Sequence, residues 1–142
     1  MLGFAIAMIA VVAYFVLGMP GMDHSTGSTG SIDHNAMAVP VRLSPKEFAA
    51  QLEDPGAFVV NVHVPDEGGI DGTDDIIAYD RILGDARLPA AKGTPILLYC
   101  RTGRMSDSAG RALLDAGYAR VAHLDGGMDA WERAGFSLAR RG

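Results

Sequence analysis

One cysteine, Cys100, in a chain of 142 residues excludes an internal disulfide. Zinc is also a poor fit, because the four histidines at 24, 34, 63 and 123 and that cysteine show none of the paired ligand spacings. Positive charge is scarce: 12 Lys and Arg stand against 17 Asp and Glu, giving a formal net charge of −5 and a pI near 5.2. That balance argues against nucleic acid as a partner. The first 19 residues lack charged side chains altogether, no cysteine follows them for lipid attachment, and no internal repeat is visible.

What is present begins with that uncharged run, "MLGFAIAMIAVVAYFVLGM". A helix of about this length just crosses a hydrocarbon core, so residues 1–19 are expected to form a single transmembrane helix or uncleaved signal anchor. A cleaved signal peptide fits less well, since there is no basic n-region and the small-residue sequence "AMA" at 36–38 lies far beyond the apolar run. The first basic residue is Arg42, so the segment after the helix is easily translocated and the globular part is expected on the extracytoplasmic side. Residues 20–40, rich in Gly, Ser, Thr and Pro, read as a flexible tether. Within it Met22, His24, His34 and Met37 offer thioether and imidazole ligands of the kind that suit copper. The plainer alternative is a polar linker without preformed geometry.

From Val41 to Gly142 strand-like and helix-like segments alternate. Ser44, Pro45 and Glu47 form a helix start with a capping box, followed by an apolar face through Phe48 and Leu52. "AFVVNV" at 57–62, "TPILLY" at 94–99 and "ARVAHL" at 119–124 read as strands. A helix is expected over 106–116, with Ala109, Leu113 and Ala116 on one face and Gly117 as its stop. Gly126 and Gly127 read as a turn before a last helix at 128–134, where Trp131 is expected in the core. Such alternation predicts an α/β fold with a doubly wound parallel sheet covered on both faces.

In sheets of this type the working site lies beyond the carboxyl ends of the strands. Cys100 is at such an end, and the loop after it, "RTGRMS", contains a glycine able to take a left-handed conformation and help form an anion-binding nest. The dipole of the following helix and the charges of Arg101 and Arg104 favour thiolate over thiol. A buried structural cysteine is the usual fate of a lone one, but the strand-to-loop-to-helix context points to a reactive sulfur.

The segments "YCRTGRMS" at 99–106 and "LLDAGYARVAHLDGGMDAW" at 113–131, with "LSPKEFAAQL" and "FVVNV" more weakly, resemble the rhodanese family of sulfurtransferases. The resemblance implies a single rhodanese-type domain whose loop cysteine takes sulfane sulfur from a thiosulfate or persulfide donor, becomes a persulfide, and passes the sulfur to a thiol or cyanide. No cofactor is implied. Carried over to this chain, Cys100 is the sulfur carrier. Arg101, Thr102, Gly103, Arg104 and Met105 complete the anion-binding loop, and Ser106 starts the helix.

Three departures from the family pattern stand out. Met105 occupies the sixth loop position, where arginine is common, which removes a charge from the loop's end. "NVH" puts Asn61 and His63 where Asp-Val-Arg is frequent; His63 is expected either near the pocket as a proton donor or as a hydrogen-bonded structural histidine. The acidic segment "VPDEGGIDGTDDIIAYDR" at 64–81 replaces a shorter element and reads either as a solvated face or as a guide for charged substrates. Its carboxylates do not follow the ligand spacing of an EF-hand.

Two other functions remain open at this level. Cysteine phosphatases use a related loop with an arginine six positions after the cysteine, but that position is Ser106, so the guanidinium clamp on a phosphoryl group is missing. The second is an anchored binding module that holds copper or a partner protein without turnover.

Overall fold

The structure is a computed structural model and describes residues 38–140. The expected membrane helix and the expected copper ligands Met22, His24, His34 and Met37 lie outside the described residues. Among the described residues no helix is long and apolar enough to cross a membrane, and no group of three or more His, Cys, Asp or Glu side chains is arranged to hold a metal.

Five parallel strands form one sheet: β1 (Val41–Leu43), β2 (Phe58–Asn61), β3 (Asp75–Ile76), β4 (Ile96–Tyr99) and β5 (Val121–Leu124), in the order β1-β5-β4-β2-β3. Three helices cover it: α1 (Pro45–Gln51), α2 (Arg104–Asp115) and α3 (Gly127–Arg133). β4 is the central strand and all four of its residues are buried, as its unbroken apolar sequence demands of a parallel sheet with two covered faces.

The period of two along each strand sorts side chains between two cores. Ile96, Leu98 and Cys100 join Val60, Val121, Ala109 and Leu113 on the α2 side. Leu97 and Tyr99 join Val59, Phe48, Leu124, Met128 and Trp131 on the side of α1 and α3. Each fully buried aliphatic side chain of this kind is worth roughly 1.5–3 kcal/mol. Trp131 is buried as expected, with its Nε1–H donating to the Ser137 carbonyl at 3.0 Å.

Local signals hold closely at α1. The Ser44 hydroxyl accepts from the Glu47 N–H, and the Glu47 carboxylate accepts from the Ser44 N–H at 2.8 Å, so both halves of the capping box are made. The Ser44 hydroxyl also donates to the Glu47 carboxylate at 2.7 Å, and this bond, with that from the Ser44 N–H, lowers the Glu47 pKa. Two expectations need correction. α2 begins at Arg104, two residues before Ser106, because Gly103 with φ +93° supplies the turn and frees the next residue to enter the helix. Gly127 begins α3 rather than merely preceding it.

Candidate active site

Cys100 follows the last residue of β4 and is buried, its sulfur at the floor of the 100–105 loop. The Gly103 N–H donates to Cys100 Sγ at 3.0 Å. A left-handed glycine makes this possible, because the chain must reverse within three residues to aim an amide back at the sulfur. The first amides of α2 have no partner within their own helix, so the positive end of its dipole also lies next to the loop.

The outer side of the loop is fixed by α3. The Met128 N–H donates to the Cys100 carbonyl at 2.9 Å and the Asp129 N–H to the Arg101 carbonyl at 3.0 Å. These bonds commit two loop carbonyls away from the sulfur. They also explain the glycine pair: Gly127 has φ +60°, and a Cβ there would lie 2.5 Å from the Arg101 carbonyl carbon and oxygen. The sequence marks this contact only as a turn; the helix-to-loop bonds depend on a fold that brings residues 100 and 128 together.

Above the sulfur a cleft of about 460 Å³ is lined by His63, Tyr79, Cys100, Arg101, Thr102, Arg104, Met105 and Ser108. His63, almost buried, thus shares the pocket with Cys100. Its Nε2 is 2.9 Å from Glu67 Oε2, and its backbone N–H donates to Asn61 Oδ1 at 3.0 Å. Asn61 also donates from Nδ2 to the Gly68 carbonyl, so this buried amide ties down both ends of the 61–68 loop. Tyr79 carried no sequence signal for the site, whereas Asn61 stood out with His63 as a departure from the family pattern and Glu67 sits four residues from His63.

Charge around the cleft is distributed unevenly. The Arg101 guanidinium is engaged by Glu67 at 2.5 Å and Asp129 at 3.7 Å. Hydrogen bonding from His63, helped by the positive charge of Arg101, holds the Glu67 carboxyl below the usual carboxylate range. Arg104 is exposed and makes no ion pair among the described residues. Met105 is half-buried and packs against the α2-side core, so it adds an apolar wall where a cation would otherwise stand. Beyond the acidic segment, Arg87 binds Asp85 and reaches back to Asp75 within it, and the Asp85 carboxyl is held at about 2 mainly by its hydrogen bonds from Arg87.

Ser106, expected at the start of the helix, is the third residue of α2 and is fully buried. Its Oγ lies 3.6 Å from Cys100 Sγ, 3.1 Å from the Gly103 carbonyl and 3.1 Å from His123 Nδ1. His123 was legible only as part of a strand.

A strand-end cysteine facing a loop amide, on a doubly wound parallel sheet, defines a cysteine-centred α/β domain. Residues 34–134 match the Rhodanese-like domain family, and the chain belongs to it. It is 34% identical over 93 residues to the thiosulfate sulfurtransferase GlpE of Ectopseudomonas mendocina, covering 63% of this chain and 83% of that protein. An uncharacterized protein of Synechocystis is 32% identical over 101 residues, 70% of this chain and 56% of that relative's length. Among solved structures, the polysulfide-sulfur transferase homodimer of Wolinella succinogenes superposes with a TM-score of 0.60 at 24% identity, over 72% of this chain and 80% of that one. That last likeness is one of fold.

Proposed function

We propose that the protein is a sulfurtransferase in which Cys100 carries sulfane sulfur as a persulfide. The observation that carries this reading is the Gly103 N–H aimed at Cys100 Sγ at 3.0 Å, in a loop whose first two carbonyls, of Cys100 and Arg101, are drawn off by α3. A donor amide already directed at the sulfur stabilises an anion there without reorganisation. The Cys100 thiolate attacks the outer sulfur of thiosulfate, the S–S bond of the donor breaks, and sulfite leaves with the electron pair. The persulfide then gives its terminal sulfur to cyanide or a thiolate, which forms the new bond to sulfur while the Cys100 thiolate departs. Arg101, Thr102, Gly103, Arg104, Met105 and Ser106 form the loop that holds the anion, and His63 borders the pocket.

The kinship with proteins named thiosulfate sulfurtransferase supports this reading over a phosphatase. So does Ser106, a buried hydroxyl where a phosphatase needs an exposed guanidinium. Thiocyanate formation from thiosulfate and cyanide, compared between the full chain and Cys100→Ser, is the test: turnover lost in the serine variant is expected, and equal turnover contradicts the proposal. The proposal extends to the N-terminus, where residues 1–19 anchor the protein in a membrane and residues 20–40 tether the domain on the extracytoplasmic side. Its support is the absence of charge in that run. A reporter enzyme fused to the C-terminus and active in the cytoplasm contradicts that topology.

A further inference from the structure

Behind the loop a buried line of polar atoms runs away from the sulfur. Cys100, Ser106 and His123 are all essentially inaccessible to solvent, and they stand in sequence: Sγ to Oγ at 3.6 Å, Oγ to Nδ1 at 3.1 Å. The far ring nitrogen, His123 Nε2, is buried without a hydrogen-bond partner and lies 3.8 Å from Asp107 Oδ1. The topology builds this line. His123 is on β5, whose residue pairs with Leu98 of the neighbouring β4, and its side chain shares the α2 face with Ser106.

A buried histidine with one nitrogen unpartnered calls for a reason, since a core position is served at lower cost by an apolar residue. The Ser106 hydroxyl has one hydrogen and two acceptors at the same 3.1 Å, the Gly103 carbonyl and His123 Nδ1. It can therefore redirect that hydrogen without moving its oxygen. With Nε2–H pointing toward the Asp107 carboxylate, Nδ1 is free to take it.

We propose that Ser106 and His123 form an internal proton route for Cys100, with His123 as a positioning residue that holds the thiol proton while the sulfur is anionic. As the S–H bond breaks, its proton passes to Ser106 Oγ, the hydroxyl hydrogen passes to His123 Nδ1, and the electron pair stays on sulfur. Thiol and imidazole become thiolate and imidazolium, so the buried cluster keeps its total charge and no ion has to be desolvated alone. The imidazolium then stays as the counter-charge of the persulfide anion.

The charged groups around His123 fit a ring that changes state rather than one fixed as a cation. Asp107 of α2 and Asp125 after β5 favour the proton; Arg42 of β1 and Arg111 of α2 oppose it. Burial, the largest influence, outweighs these and lowers the His123 pKa, so the ring holds a proton less readily than a free imidazole unless a negative sulfur stands in line with it. The proposal takes its purpose from the sulfur-transfer reading, but the ionisation it describes is measurable with no sulfur donor present.

Two measurements on the full chain test it. In protein labelled with ¹⁵N-histidine, the ring nitrogens of His123 are expected to keep an imidazolium pattern to a higher pH in the reduced protein than in Cys100→Ser, because the ring holds the proton that the sulfur has given up. A His123 spectrum that ignores the state of Cys100 overturns the proposal. For iodoacetamide alkylation of Cys100, wild type is expected to react about tenfold faster than His123→Asn at about pH 6, the equivalent of one pH unit in the profile. Coincident profiles from two folded proteins also overturn it; should the variant not fold, the wild-type spectrum decides alone. Shifted profiles without sulfur loading from thiosulfate leave the proton route standing and remove the donor, while sulfur loading with coincident profiles does the reverse.

Discussion

The Met128 N–H donates to the Cys100 carbonyl at 2.9 Å, which makes the start of α3 the outer wall of the loop that carries the sulfur. The bond requires the two backbones to approach closely at Gly127, whose φ is +60°. Gly127→Ala is therefore expected to cost roughly 1–3 kcal/mol in stability from backbone strain, with a further cost from the clash at Arg101. Thermal unfolding reads the stability. Alkylation of Cys100 in the surviving folded protein is expected to speed up as the loop loosens.

Met105 sets the charge of the pocket. Placing a guanidinium there, beside the exposed Arg104, adds attraction for a dianion worth on the order of 1 kcal/mol in a solvent-exposed site. Met105→Arg is thus expected to raise kcat/KM for thiosulfate by about fivefold at low ionic strength, with the gain shrinking as salt is added. No change across the salt series means that the donor does not pass this side of the cleft.

Glu67 is paired with Arg101, and under the proposed function it competes with an anionic donor for that guanidinium. Its carboxyl stays charged below the ordinary carboxylate range because of the His63 hydrogen bond and Arg101, so the competition persists into mildly acid solution. Removing the charge in Glu67→Gln is expected to lower KM for thiosulfate by about two- to fivefold, the scale of an exposed ion pair. Steady-state kinetics check it; an unchanged KM shows that Arg101 does not reach the donor.

His123 makes stability depend on pH. Its pKa in the folded protein is depressed below the ordinary 6.5, chiefly by burial, so the unfolded chain takes up its proton first as the pH falls. The stabilisation is present above about 6.5 and is lost as the pH drops toward the lower folded value. In a Cys100→Ser background, where no thiolate shares the proton, the melting temperature is expected to fall between about pH 7 and pH 5 more steeply with His123 present than with His123→Asn. Parallel curves contradict the assignment of this dependence to His123.

Much of this fold was legible because its signals are local. The capping box at Ser44 and Glu47, the apolar run of β4 and the glycine stop after α2 each depend on neighbours in sequence, and each appears where expected. β1 and β3, three and two residues long, were missed because short edge strands exist only by pairing with a neighbour. Cys100, its loop and His63 were singled out from residue type and context. The second role of Gly127, the inward turn of Ser106 and the alignment of His123 behind it were not, since each is a relationship across elements that meet only after folding.

The central claim is most directly tested by the intact mass of the full chain after incubation with thiosulfate, alongside Cys100→Ser. The account predicts a gain of one sulfur atom that is removed by cyanide and absent from the serine variant. A freely alkylated Cys100 that gains no sulfur, or a gain that persists in Cys100→Ser, contradicts it.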